Sequence, residues 1–317
     1  MHCWFLSEPN VGMEVQCRAL AEALCDNPIR KTLTARMPWK FLPAWMWWSP
    51  FAAIGPGSDT LAPPWPDLLI SCGRYAAGVA LAIKKASNAG VFTVHIQNPL
   101  VPLALFDVVV APRHDRCEGK NVITTMGSLH GITPALLARE ASRLAPALMH
   151  LPHPLVTVLV GGKNKRYSFG AQEAEHLARQ LIRAMEKYGC GMALTVSRRT
   201  GAQITDILKQ RLRNHPCVIW DGRGENPYLG FLGAADHIVV TCDSVNMTTE
   251  ACATGKPVHV IHLPGGSPRS WDFHRAMESA GMTRRFTGEL EQWNYEPLLE
   301  TARVAEEIKQ RMRKADR

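Results

Sequence analysis

The segment Thr241-Cys242-Asp243-Ser244-Val245-Asn246-Met247-Thr248-Thr249-Glu250-Ala251, followed by Gly255-Lys256-Pro257-Val258, has the composition of a phosphate-binding turn. The apolar run His237 to Thr241 reads as a buried strand that stops at small polar residues. Thr248 to Thr254 then reads as a helix and Pro257 to His262 as the next strand. Small residues let the backbone approach a ligand, and the N–H groups of a helix N-terminus point at it, which suits an anion. Glu250 stands in the first turn or two of that helix, where a carboxylate can bridge two vicinal hydroxyls. A phosphate on the helix end and a carboxylate on a ribose are what a nucleoside diphosphate requires. Asp243, Ser244, Asn246, Thr248 and Glu250 are therefore the candidate contacts. The same residues also suit an ordinary βαβ crossover capped by a serine or threonine.

A second stretch in the same half supports the anion reading. Val156 to Val160 is a buried strand running into Gly161-Gly162-Lys163-Asn164-Lys165. Paired glycines after a strand permit a tight turn with exposed N–H groups, and the lysines add positive charge. It is not a Walker A loop, because G-x-x-x-x-G-K-[ST] is absent. Tyr228, after Asp221-Gly222-Arg223-Gly224-Glu225-Asn226-Pro227, suits stacking on a base or packing of the helix it begins.

The first half offers four strand ends. Ser7-Glu8-Pro9-Asn10-Val11-Gly12-Met13-Glu14-Val15-Gln16 reads strand, loop, helix, with Gly12 at the turn and Gln16 in the first helical turns. Leu68 to Ser71 ends in Cys72-Gly73-Arg74, and Val91 to Ile96 ends in Gln97-Asn98-Pro99. Gly12, Gly73, Arg74 and Gln97 are candidate acceptor contacts; Arg74 can pair with an anionic or hydroxylated group, or simply be solvated. His114, after Val110-Ala111-Pro112-Arg113, is the best acid–base candidate by residue type, and Gln16 is a second catalytic candidate.

These residues need strands to present them. Short apolar runs alternate with amphipathic stretches throughout the 317 residues, the α/β signature of parallel sheets with crossover helices. Strands are predicted at His2–Leu6, Lys31–Ala35, Leu68–Ser71, Val91–Ile96, Val108–Ala111 and Val122–Thr125. A second series follows at Leu155–Val160, Met192–Val196, Val218–Trp220, Ile238–Thr241 and Val258–Ile261. Pro146, Pro152 and Pro154 separate the two series, because proline cannot continue a helix. The expected domains are 1–150 and 151–317, with the charged last helix, Pro297 to Lys314, free to pack back on the first. Open parallel sheets bind ligands at the carboxyl ends of their strands, so both halves are expected to face a central cleft.

Composition narrows the class. A hydrophobic content of 46% with 20% charged residues describes a globular chain. The net charge of +8 favours anionic partners, but no Lys/Arg block or RNA- or finger-type motif accompanies it, which argues against nucleic acid. The nine cysteines are scattered, without a C-x-x-C pair, and read as small buried hydrophobes in a reducing compartment. No basic region precedes His2-Cys3-Trp4-Phe5-Leu6, so it reads as a first strand and not a signal peptide, giving a cytoplasmic expectation. Trp39, Trp45, Trp47 and Trp48 with Lys40 form a Pro-broken segment suited to an anionic bilayer surface or to packing on the first domain.

Pro64-Trp65-Pro66-Asp67 through Gly73-Arg74, then Gln97-Asn98-Pro99, Phe106 through Asp115 and Asn121 through Gly127 resemble one family in order and spacing. It is the family of the plant "elongated mitochondria" fission factor and its bacterial relatives, some of them labelled nucleoside-diphosphate-sugar epimerases. The resemblance continues through Gly161-Gly162, Asn226-Pro227-Tyr228, Asp243-Ser244 and Gly255-Lys256-Pro257. The family's G-x-x-G-H-x-x-Q loop departs here to Asn10, Gly12, Met13 and Gln16, without the histidine.

The Asp243–Glu250 segment likewise resembles the donor site of GT-B glycosyltransferases and of non-hydrolysing UDP-sugar 2-epimerases. The resemblance implies a GT-B-like fold of two Rossmann-like domains. It implies a glycosyltransferase taking a nucleotide-sugar, UDP-linked, as donor, with no separate cofactor. Acceptors on lipid and attachment to the inner membrane face extend that expectation. The alternatives are a nucleoside-diphosphate-sugar 2-epimerase, against which Thr249 stands where a second glutamate belongs, and a non-catalytic membrane-peripheral scaffold of the fission-factor family. No metal is required, since no Asp-x-Asp pair occurs and helix ends with Lys163 can neutralise a diphosphate.

Overall fold

In chain order the first elements are β1 (Cys3–Ser7), α1 (Val11–Leu24), β2 (Ile29–Thr32), β3 (Leu68–Cys72), α2 (Arg74–Ala86), β4 (Phe92–Ile96), β5 (Val108–Pro112), β6 (Val122–Thr125) and α3 (Pro134–Leu148). Then come β7 (Leu155–Val160), α4 (Ala171–Tyr188), β8 (Gly191–Val196), α5 (Ala202–Leu212), β9 (Cys217–Trp220), α6 (Tyr228–Ala234) and β10 (His237–Thr241). The chain ends with α7 (Val245–Cys252), β11 (Val258–Ile261), α8 (Pro268–Ser279), β12 (Thr283–Arg285) and α9 (Glu300–Ala315). This computed structural model describes residues 1–37, 39–42, 46 and 49–315.

Two parallel six-stranded sheets result, ordered β2-β1-β3-β4-β5-β6 and β12-β11-β10-β7-β8-β9. Their central strands are buried along their whole length, as in β3 and β10, because helices or loops cover both faces of a parallel sheet. This is the expected α/β architecture. In the first sheet the order reverses between β1 and β3, in the second between β7 and β10. Such reversals leave a crevice beyond the strand ends, where ligands of open α/β sheets bind.

The chain divides into one unit of Met1–Gly131 with Leu299–Arg317 and another of Ile132–Leu298. The expected boundary at Leu151 thus falls after α3, whereas the division falls before it. The reason is packing. A Cβ on Gly230 of α6 would meet Leu144 Cδ1 at 2.3 Å, and one on Gly233 would meet Leu137 O at 2.3 Å. Only glycines let α3 and α6 approach so closely, and that contact ties α3 to the second unit. Pro146 lies inside α3 without ending it, since in the last turn its missing N–H removes a single helical bond.

Helix α9 belongs to the first unit, where Val304, Ala305 and Ile308 enter the core beneath α1. Its start is clamped: Glu300 Oε2 accepts the N–H groups of Met126 (2.5 Å) and Gly127 (3.2 Å), while Thr301 Oγ1 donates to His130 O (2.8 Å). Glu300→Ala leaves two half-buried donors without their charged acceptor. We expect a loss of about 1.5–3 kcal/mol, read as a lower urea midpoint for the first unit.

Two strands differ from expectation. β2 is Ile29–Thr32 rather than Lys31–Ala35, because Asp59 Oδ2 takes the N–H of Thr32 (2.6 Å) and Ser58 that of Thr34 (2.8 Å), diverting the chain from the sheet edge. β12 carries no apolar run and gave no sequence signal. Among the described residues no helix is long and apolar enough to cross a membrane. Trp39 packs with Leu42 and Trp65 against the core of the first unit, and Phe41 is 71% exposed; Trp45, Trp47 and Trp48 lie outside the described residues.

Candidate functional site

In the second unit the loops after β7, β8 and β10 meet on one carboxylate. The Asp243 side chain is fully buried. It accepts the N–H of Gly162 (3.0 Å), the hydroxyl of Thr241 (2.7 Å) and the guanidinium of Arg199 (2.8 Å). The Gly161 N–H donates to Thr241 Oγ1 (2.8 Å), and Asn164 Nδ2 to Asp243 O (3.2 Å). The glycines are required for this closeness: a Cβ on Gly161 would lie 2.1 Å from Asp243 Oδ1, and one on Gly162 2.2 Å from the Arg199 backbone. Both N–H groups expected to be exposed for phosphate are therefore engaged inside the protein. That is a correction to the sequence reading, and its physical reason is a buried carboxylate two residues past β10.

Positive charge and a helix start lie next to them. Helix α7 starts at Val245, with Ser244 as its cap accepting from Met247 N–H (3.3 Å). The first-turn N–H groups of a helix have no partner within it, and Asn246 stands in that turn. Lys163, Lys165, Arg166, Arg198 and Arg199 are exposed on the loops after β7 and β8. Thr248 does not join them: it is fully buried and its hydroxyl donates to Ser244 O (3.1 Å).

Glu250 follows on α7, and Tyr228, the first residue of α6, donates its hydroxyl to Glu250 Oε2 (2.5 Å). Burial pushes the Glu250 carboxyl up to about 7, against the opposing pull of the Tyr228 hydrogen bond. Burial and the neighbouring carboxylate also hold the Tyr228 phenol well above its ordinary range. Tyr228 is thus a partner of Glu250 in this structure rather than a platform for a base. Lys256 Nζ donates to Leu232 O (3.2 Å) and Gly233 O (2.6 Å), so the Gly255-Lys256-Pro257 motif caps the end of α6.

A family model described as Mitochondrial fission ELM1 matches residues 11–312. The chain belongs to the mitochondrial fission ELM1 family. It is 34% identical over 274 residues to the Mitochondrial fission protein ELM1 of Arabidopsis thaliana, covering 78% of this chain and 64% of that protein. This ELM1-family chain thus spans less than two thirds of the plant relative. An uncharacterized protein of Rickettsia prowazekii (strain Madrid E) is 27% identical over 286 residues, covering 77% and 79% of the two chains. Among solved structures, the UDP-GlcNAc 2-epimerase of Methanocaldococcus jannaschii matches with a TM-score of 0.58 at 11% identity, over 98% of this chain and 100% of that one. MurG of Acinetobacter baumannii matches with a TM-score of 0.51 at 14% identity, over 99% and 93%. At such identities the likeness shows the fold, which is GT-B.

In the first unit of this ELM1-family chain the candidates separate into two groups. The β1 and β3 ends come together. Asn10 caps α1 by accepting the Gly12 N–H (3.1 Å), and Gln16 is buried, its Nε2 donating to Gly12 O (3.0 Å). Gln16 Oε1 is buried with no hydrogen-bond partner among the described residues. Gly73 has φ +98° and no room for a Cβ, which would stand 2.8 Å from Glu8 Oε1. Arg74 is exposed and lies over the Tyr75 ring at 5.2 Å.

The β4 and β5 ends form the other group. Asp115 Oδ2 accepts the Asn98 N–H (3.1 Å), and Gln97, at φ +73°, donates its N–H to Val110 O (2.7 Å). The His114 side chain is only 5% exposed, with Nε2 3.6 Å from Asp115 Oδ1. It is enclosed in the short helical turn Arg113–Asp115. Sequence reasoning passed over Arg199 and Glu8. Arg199 follows Arg198 in the loop after β8 and Glu8 directly follows β1, and only their partners show what they do.

Proposed function

We propose that this chain is a GT-B glycosyltransferase-like protein whose second unit holds the diphosphate of a UDP-sugar. The carrying observation is the Asp243 junction: it locks three strand-end loops at the sheet's reversal point and fixes Arg199 beside the start of α7. The first turn of α7 with Lys163 and Arg199 then supplies the diphosphate contacts, and Glu250 the ribose contact after Tyr228 is displaced. Structures sharing the fold give support in kind, since the epimerases of Neisseria meningitidis and M. jannaschii were solved with UDP-GlcNAc. In this reading the first unit takes the acceptor near Gly12, Gly73, Arg74 and Gln97. The acceptor is lipid-linked, and the protein works at the inner membrane face.

Thermal shift and ligand-detected NMR against UDP-, GDP-, dTDP- and CMP-sugars test it, followed by assay for transfer or epimerisation. Glu250→Ala is expected to weaken UDP-sugar binding about tenfold or more, the value of a hydrogen-bonded charged group. Unchanged affinity in that variant sinks the assignment. A second reading, a scaffold without turnover, is favoured by the internally bonded Gly161 and Gly162 and by Tyr228 over Glu250. A nucleotide that binds with no turnover of any sugar selects it.

A further inference from the structure

In the first unit the loops after β1, β3 and β6 converge on the start of α1. A Cβ on Gly73, after β3, would stand 2.8 Å from Met13 Sδ, and one on Gly131, after β6, would stand 3.9 Å from Ala19 Cβ. Gln16 lies between Met13 and Ala19 on that helix and is 2% exposed. Two helix starts at these loops are answered from within the protein. Asn10 takes the N–H of Gly12 (3.1 Å) on its side chain and those of Met13 (3.1 Å) and Glu14 (3.0 Å) on its carbonyl. At the start of α2, Glu8 Oε1 takes the N–H groups of Tyr75 and Ala76, each at 2.8 Å. With these donors engaged, and a carboxylate on one of the helix ends, the loops do not favour an anion.

The Gln16 side chain is different. Its Nε2 donates to Gly12 O (3.0 Å), which turns the amide back along α1 toward the converging loops. That bond also fixes the orientation of the amide. Gly12 O can only accept, so the group facing it is the –NH2 and the other atom is the carbonyl oxygen. Gln16 Oε1 is buried and has no donor among the described residues. A buried acceptor without a donor is costly, and folded proteins rarely leave one. A neutral oxygen suits a neutral donor such as a hydroxyl, because it cannot offset the desolvation of an ammonium group.

We propose that Gln16 Oε1 is a recognition point for a neutral sugar, accepting the hydrogen of a sugar hydroxyl that enters between the loops after β1, β3 and β6. This rests on the reading that the first unit takes the acceptor, and it names the acceptor's chemistry at that point as a hydroxyl and not a phosphate. An amide oxygen orients a hydroxyl but does not take its proton, so Gln16 acts in binding and not as a base.

The backbone amide signals of Gly12, Gln16, Gly73 and Gly131 in the 15N-labelled full chain report on the site. They are followed during titration with the methyl glycosides of glucose, galactose, mannose and N-acetylglucosamine, and with inorganic phosphate. In the natural protein at least one glycoside is expected to move these signals to saturation and phosphate none. No response to any of the four glycosides overturns the proposal without any variant, and assigns the oxygen to a buried water. Phosphate moving the signals overturns it too. Gln16→Met keeps the side-chain volume and removes the amide oxygen. The glycoside that binds is expected to bind this variant about tenfold more weakly, read at Gly73 and Gly131. Equal affinity in Gln16→Met overturns the proposal. The UDP-sugar titration is read at Asp243 to Glu250, in the other unit. A failure there with a response here removes the donor reading alone, and the reverse removes this proposal alone.

Discussion

Asp243→Ala is expected to lower the stability of the second unit by about 3 kcal/mol and to abolish UDP-sugar binding. The carboxylate has no solvent exposure and takes three donors: the Gly162 N–H, the Thr241 hydroxyl and Arg199. Truncation leaves the first two buried around a void. Arg199 is 41% exposed and regains water, which places the cost at the low end of the range for breaking a buried pair. Asp243→Asn keeps the volume and one acceptor oxygen, so it should cost less while still loosening Arg199. Denaturant melts of the two variants, with UDP-sugar titrations at a temperature where both are folded, separate stability from binding. An Asp243→Ala protein as stable as the natural one would show that the three loops hold their positions without the carboxylate.

The buried histidines of both units are expected to cost stability on acidification well above the pH at which ordinary carboxylates titrate. In the first unit His95 is fully buried on β4, its Nδ1 2.8 Å from Ser71 Oγ, and burial lowers it to about 3. In the second unit His259 is fully buried between Phe286 and Trp293. Burial first, then the neighbouring His237 and Arg284, lower it to about 4. Burial also lowers His237, against the pull of Asp236. The sign follows from proton counting. Between the folded and unfolded values the unfolded chain binds the extra proton, so stability rises with pH and is lost on acidification below about 6.5. At pH 5 each of His95 and His259 should have cost about 2 kcal/mol, at 1.36 kcal/mol per pH unit. Neither ring nitrogen of His259 has a hydrogen-bond partner among the described residues, so His259→Phe removes a titrating group without stranding a polar one. In the second unit the raised Glu250 carboxyl takes up a proton in the folded state between about pH 7 and 4.5 and offsets part of this loss, so the reading that isolates His259 is the difference in melting midpoint between the natural protein and His259→Phe, which should shrink from pH 7 through 6 to 5. Equal slopes would place the acid sensitivity elsewhere.

The fold was largely legible because burial of a parallel strand leaves an unbroken apolar run. Leu68–Cys72, Val108–Pro112, Leu155–Val160 and His237–Thr241 all announce themselves this way. What failed was local in appearance and nonlocal in cause. β2 is set by Asp59 and Ser58, which lie more than twenty residues away in sequence. The unit boundary is set by α3 on α6, through two glycines that carry no periodic signal.

The candidate site divides in the same manner. Sequence alone identified the two loops of the second unit that meet, because small residues after a buried strand at two places leave few other arrangements in a parallel sheet. It also marked Glu250, which a helix start makes conspicuous. Tertiary structure alone decided the polarity of each group. Gly161 and Gly162 turn their N–H groups inward because Asp243 is buried there, Tyr228 turns to Glu250, and Glu8 turns to the end of α2. Residue type fixes what a side chain can donate or accept. Which of those bonds it makes depends on neighbours brought from elsewhere in the chain, and burial makes each such pairing obligatory.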